Sequence, residues 1–331
     1  MRAAIVGLAG PVLAPGEASL LREHPPAGVI LFARNIEDPD QLARLMDALR
    51  QALPPQSVLM IDQEGGRVAR LRPPHWPAHP PAAAFGRLYA RDRAAGIRAA
   101  WLTGALIGIM CGEAGFDVVA APVLDLGLPG ANTAIGDRAF GSDSRMVARL
   151  GRSFAEGLLA SGRQPVMKHV PGHGRATVDS HLALPRVETA HLGADLAPFV
   201  YNAGLPWAMT AHILYPHWDA ERPATLSETI IREIVRGRVG FTGVLVTDDL
   251  AMGALAGPPE ARATAGLAAG ADLALYCAGE GKANEAVLRA VPEITKATAA
   301  RLARARAMAA SERATLDAAS LAAERARLLS A

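Results

Sequence analysis

Apolar residues in this chain come in short unbroken runs, not in strict alternation with polar ones. The runs cover residues 3–8, 28–33, 58–62, 118–125, 165–169, 207–213, 243–248 and 273–277. Continuous apolar runs of this length suit parallel strands covered on both faces, whereas half-exposed strands alternate. Longer segments with apolar residues at helical spacing lie between them. Residues 39–52 start with Pro39 and an acidic first turn, and residues 144–160 and 226–235 follow turn-forming residues; each predicts a helix. Eight strand–helix units in about 300 residues predict an α/β fold of the (β/α)8 type, a TIM-like barrel. A doubly wound open sheet is the alternative, weakened because no Gly-rich phosphate fingerprint follows the first strand.

No stretch has the character of an interdomain linker, so residues 1–331 are expected to form a single domain. The Pro-rich stretch 73–81 is expected to be a loop within it. From about residue 292 the sequence is rich in Ala, Arg, Leu and Glu, which predicts a helical tail on the outside of the barrel, its arginines on a solvated face.

Composition narrows the function classes. Half of the residues are hydrophobic, and 34 basic against 32 acidic residues give a formal net charge of +2, so no polyanionic partner such as nucleic acid is indicated. Cys111 and Cys277 lie in apolar stretches and are expected to be buried thiols, not a disulfide. The apolar start is interrupted by Gly7, Gly10 and Pro11 and lacks a clean cleavage site, which favours a core strand over a signal peptide. No later stretch is expected to be apolar over the roughly 18 residues that a membrane span requires. A cytoplasmic, soluble monomer without cofactor or metal is the resulting expectation.

In a barrel of this kind chemistry sits where the strands end. Strand three ends in Asp62-Gln63-Glu64-Gly65-Gly66-Arg67, with Arg70 three residues on. Strand five leads into Lys168-His169-Val170-Pro171-Gly172-His173-Gly174 and then Asp179-Ser180-His181; strand six ends at His212 and strand seven at Thr247-Asp248-Asp249. Lysine occurs only at positions 168, 282 and 296, so one inside a motif stands out. Asp248, at the end of an apolar strand, fits either a nucleophilic carboxylate or a helix cap; for Asp249 the cap is the better reading. A carboxylate beside an imidazole, as in Asp179 and His181, can fix the tautomer and raise the imidazole pKa, but a loop salt bridge fits as well. His169, His173, His181 and His212 could suggest a metal site, yet the first strand holds no ligand pair and Lys168 would repel a cation. His173, flanked by Gly172 and Gly174, is expected to shape its loop. His24, His75, His79, His191 and His217 are expected to be surface or loop residues.

Taken in register, these motifs resemble glycoside hydrolase family 3. Within it they are most similar to bacterial β-N-acetylglucosaminidases (β-hexosaminidases) of peptidoglycan recycling. Residues 28–35 and Gly136-Asp137-Arg138-Ala139-Phe140-Gly141 also resemble that subgroup, and the resemblance runs from about residue 3 to 280. It implies a retaining enzyme that removes terminal β-linked N-acetylglucosamine from muropeptides carrying 1,6-anhydro-N-acetylmuramic acid. It implies Asp248 as nucleophile, His181 as acid/base with Asp179 as its dyad partner, and Asp62, Arg70, Arg138, Lys168 and His169 as residues that hold the sugar. Family members that take their acid/base from a second domain differ, since here the 179–181 loop is the expected source. Ala139 and Val170 depart from the more usual serine and phenylalanine without removing a reactive group. The rivals are a phosphorylase on the same fold and a non-catalytic protein that binds cell-wall fragments.

Overall fold

The computed structural model describes residues 1–180 and 182–330. Eight strands occupy the eight apolar runs: β1 (Arg2–Gly7), β2 (Pro26–Leu31), β3 (Val58–Ile61), β4 (Val118–Val119), β5 (Gln164–Val170), β6 (Trp207–Thr210), β7 (Val244–Val246) and β8 (Ala274–Tyr276). They pair in parallel, in the order 7-6-5-4-3-2-1-8. A parallel bridge between Val246 and Leu273 joins the two ends of that order, so the sheet curls into a barrel and the open-sheet alternative falls away.

The two-residue period of a strand sorts the side chains into two cores. Ile5, Ile30, Val58, Met60, Val166, Trp207, Val244, Val246 and Leu275 fill the barrel interior. Val6, Val29, Leu59, Ile61, Met167 and Leu245 face the helical layer. Continued past the strand ends, the inward parity that includes Met60, Val166, Val246 and Leu275 falls on Asp62, Lys168, Asp248 and Cys277. The last two residues of each such run therefore carry the register of the core into the mouth.

The helical layer consists of α1 (Pro15–Glu23), α2 (Pro39–Ala52), α3 (Ala82–Arg91), α4 (Arg93–Glu113), α5 (Ser144–Ala160), α6 (Gly193–Tyr201), a π-helical segment Ile230–Arg238, α7 (Pro259–Ala268) and α8 (Gly281–Ala290). The Asp38 side chain caps α2 by accepting from Gln41 N, and Asp143 caps α5 through Met146 N; such caps contribute about 1 kcal/mol each. The expected helix 226–235 begins at Glu228, because Ser227 Oγ accepts from Ile230 N and caps it there, and from Ile230 it runs on as the π-helical segment.

One expectation needs correction. Helix α4 is 21 residues long with a mean hydropathy of 1.5, enough by length and composition to cross a membrane. Two thirds of that window is buried inside the protein, and its small residues explain why. A Cβ on Gly104 would come within 2.0 Å of Phe154 O, and one on Gly157 of α5 within 2.2 Å of Trp101 O, so α4 and α5 pack backbone against backbone. A helix apolar all round is here a core helix.

Two further helices follow the barrel, α9 (Lys296–Ser311) and α10 (Ala318–Ser330). The expectation of solvated arginines fails at two of them. Arg301 donates to buried Asp272 at 2.6 Å, and Arg325 reaches His79 at 2.7 Å.

Candidate active site

A cavity of about 290 Å³ opens at the C-terminal ends of the strands, and Asp62, Arg70, Arg138, Lys168, His169, Asp179 and Asp248 all line it. That is every proposed site residue except His181, which lies outside the described residues. The volume is at the small end of the ~300–1,000 Å³ usual for ligand pockets, a size suited to one sugar ring.

One wall is ionic. Lys168, 2% exposed, donates to Asp62 Oδ1 at 2.9 Å and sits 2.7 Å from Glu64 Oε1. Arg138 grips Glu64 with two parallel bonds of 2.8 Å, and Arg70 meets Asp62 at 3.2 Å. Two carboxylates and three cations thus share one buried patch. Burial alone would raise the pKa of Asp62, but Lys168 and Arg70 outweigh it and hold the carboxyl well below the usual range. For Glu64 burial is likewise outweighed, by Arg138 and Lys168. Both acids are therefore ionised, and both can only accept hydrogen bonds.

Asp125 anchors a second wall. It is 1% exposed, and it accepts from His173 N at 2.6 Å and from the His169 ring at Nδ1, 2.6 Å away. Burial pushes its pKa up, but His169 and the backbone bond pull it below the ordinary value. An ionised Asp125 requires the proton to sit on His169 Nδ1. His173 is buried and its Nε2 meets Ser180 Oγ at 3.0 Å. Ala254 N also donates to Ser180 O, at 3.2 Å. Ser180 is thus tied to the segments that follow both β5 and β7, and the expectation that His173 shapes a loop holds.

Asp248 lies on the floor of the cavity, 9% exposed. Its N–H donates to Thr210 Oγ1 at 3.1 Å and its Oδ1 accepts from Asp249 N at 2.8 Å. Desolvation raises its pKa, yet His169, His212 and the Asp249 N–H more than offset this, and the net shift is downward. The carboxylate is charged and aimed by its backbone. Asp249 does not cap a helix as expected, since no helix follows it before α7; its Oδ1 instead accepts from Ala251 N and Cys277 N at 2.9 Å each and ties the turn to the end of β8. His212 bonds Thr225 Oγ1 and Asp249 O and steadies the same turn. Among the described residues no cluster of three or more His, Cys, Asp or Glu is arranged to hold a metal ion.

Two contributors were not picked out from the sequence. Glu64 stood inside a recognised motif without a role, and Asp125 ended an expected strand as its lone carboxylate. The remaining wall, of Ile30, Phe32, Met209, Met252, Leu275 and Cys277, is apolar.

A barrel mouth that combines a buried, ionised carboxylate, an ionic cradle and a sugar-sized cavity defines a hydrolase acting on a small polar substrate. Comparison with known proteins gives the family. The model of the glycosyl hydrolase family 3 N-terminal domain matches residues 12–315. A β-hexosaminidase of Alkalilimnicola ehrlichii is 42% identical over 299 residues, covering 87% of this chain and 84% of that one. A β-hexosaminidase of Bordetella parapertussis is 40% identical over 280 residues, covering 82% and 79%. Among solved structures, NagZ from Neisseria gonorrhoeae in complex with N-trifluoroacetyl-D-glucosamine superposes with a TM-score of 0.87 at 30% identity, covering 99% of this chain and 97% of that one. The chain belongs to glycosyl hydrolase family 3 and is a glycoside hydrolase of the NagZ type.

Proposed function

We propose that the enzyme is a retaining exo-β-N-acetylglucosaminidase that removes terminal β-linked N-acetylglucosamine from 1,6-anhydro-N-acetylmuramic acid-containing muropeptides in cytoplasmic peptidoglycan recycling. The observation that carries this reading is the ionised, backbone-aimed Asp248 on the floor of a cavity sized for one sugar. The names of the relatives and the bound sugar analogue in the N. gonorrhoeae structure agree with it.

Retention needs a nucleophilic carboxylate and a separate proton donor. In this reading Asp248 attacks the anomeric carbon and forms a covalent glycosyl-enzyme. His181, beside Asp179 in sequence, gives its proton to the leaving oxygen and then takes one from the attacking water. Lys168 and Arg138 offer charge-assisted donors to sugar oxygens, Asp62 accepts from a hydroxyl, and Arg70 and His169 complete the cradle. Because Asp62 and Glu64 already neutralise most of the cradle's charge, the cations are held in place before substrate arrives. That preorganisation lowers the cost of ordering the site at the moment of binding.

The test is release of nitrophenol from 4-nitrophenyl N-acetyl-β-glucosaminide by wild-type enzyme and by Asp248→Ala and His181→Ala, in phosphate-free buffer. Strong wild-type release with both variants severely impaired is expected. Release that requires added phosphate and yields a sugar phosphate would replace the hydrolase by a phosphorylase. Faster release from the nitrophenyl glucoside would replace the substrate.

A further inference from the structure

Arg325 lies on α10, a helix outside the part of the chain matched by the family model, which ends at residue 315. It is partly buried, and its Nη1 is 2.7 Å from His79 Nδ1. A guanidinium can only donate, so Nδ1 accepts and His79 is a neutral ring with its proton on Nε2. Burial, reinforced by the Arg325 charge, pushes the His79 pKa down to about 3, in keeping with that. His79 lies in a loop, as expected, but is only 8% exposed.

From His79 a short path leads into the active site. Gly66 N donates to His79 O at 2.8 Å. Gly65 and Gly66 both have positive φ, and a Cβ on Gly65 would come within 2.5 Å of Pro80 O. The 79–81 backbone therefore forms the template on which the glycine turn is laid. The residue just before that turn is Glu64, whose carboxylate holds both Lys168 and Arg138. At its far side α10 is fastened to α4 by the Arg98–Glu324 fork, two bonds of 2.7 Å, and by Leu321, buried among Leu102, Ala105 and Leu106.

We propose that Arg325 is a positioning residue for substrate binding, acting through His79 and the Gly65–Gly66 turn on Glu64 and hence on the Lys168–Arg138 cradle. The proposal rests on the assignment of that cradle to the sugar. Loss of the Arg325 bond lets the 79–81 backbone shift and loosens the turn, so it weakens substrate binding without touching Asp248.

The experiment compares steady-state kinetics on 4-nitrophenyl N-acetyl-β-glucosaminide for wild type, Arg325→Met, Arg325→Lys and Glu324→Gln, with melting temperatures measured alongside. Met keeps the packing of the stem and removes the donor; Lys keeps a donor. The expected result is a KM raised about 3- to 10-fold in Arg325→Met with kcat within about twofold, the range known for residues that bias a site without touching its ligand. Arg325→Lys should recover most of the loss. Glu324→Gln, which loosens α10 without touching His79, should lower the melting temperature and leave KM unchanged. His79→Phe, which removes the acceptor, carries the same expectation as Arg325→Met and replaces it should that variant not fold. An unchanged KM in both Arg325→Met and His79→Phe overturns the proposal, and so does a KM rise in Glu324→Gln equal to that in Arg325→Met. Wild-type turnover on the same substrate reports separately on the proposed activity.

Discussion

Buried carboxylates clasped by cations occur at both ends of this barrel. At the N-terminal end Asp272 accepts from Arg236 Nη2 and Leu245 N at 2.9 Å through one oxygen, and from Thr298 Oγ1 and Arg301 Nη1 at 2.9 and 2.6 Å through the other. At the C-terminal end Asp62 and Glu64 are held by Lys168, Arg138 and Arg70. Residue types, burial and bond lengths are alike. The difference lies in what the charges face. Asp272 spends its acceptor sites on strands and on α9, tying the tail to the barrel floor, whereas the upper cluster lines an open cavity. Buried ion pairs are thus no sign of function in themselves; in a (β/α)8 barrel the end of the strand at which they sit decides.

Variants at the two ends should separate. Asp248→Ala has the largest expected effect, a fall in kcat of at least about a thousandfold with little change in melting temperature; retention of more than a few per cent of activity removes Asp248 as nucleophile. Lys168→Met should cost both activity and stability, since it leaves Asp62 and Glu64 buried with one cation fewer. Breaking such a cluster costs about 3–5 kcal/mol, which denaturant titration will show. Asp272→Asn should cost a comparable amount of stability while kcat/KM of the folded protein stays at the wild-type value; a matching loss of kcat/KM would erase the distinction between the two ends.

Acid sensitivity sharpens it further. Asp62 and Glu64 have folded-state pKa values below their ordinary ones of 3.8 and 4.5, so their contribution to stability is complete above those values and is lost as pH falls through the lowered ones. Glu64→Gln should therefore flatten the fall in stability below about pH 4.5, read from melting temperatures across an acid pH series, and an unchanged slope would contradict the ionic cradle. The smallest effect expected is that of Ser180→Ala, which removes one hydrogen bond from the 179–181 loop. At about 1 kcal/mol for such a bond, kcat/KM should fall a few-fold, and no change would mean that His173 does not hold the loop.

Much of this was legible in the sequence because the barrel's own periodicity writes it there. Runs ending at Asp62 and Asp248 share the two-residue register of the core, so the polar residue that ends each run points into the mouth. The fourth strand was less legible. Pairing expected over residues 118–125 is reduced to Val118–Val119, because Pro122 has no N–H to give and the ladder resumes only at the Val123–Lys168 bridge. Asp125 stayed hidden for the same reason, as a lone carboxylate beyond a broken strand. The burial and the partner of the loop residue His79 were not legible because that partner lies 246 residues away, a separation that no local spacing reveals. The apolar α4 was missed because Gly and Ala break the look of a continuous span while keeping its hydropathy high.

The central claim is attack by Asp248 with retention of configuration, and proton NMR of the sugar released in the first minutes of hydrolysis tests it most directly. The β-anomer of N-acetylglucosamine should appear first, with the α-anomer growing in only as the product equilibrates in water. Initial release of the α-anomer would contradict the claim, since it requires water, not Asp248, to be the group that attacks the sugar.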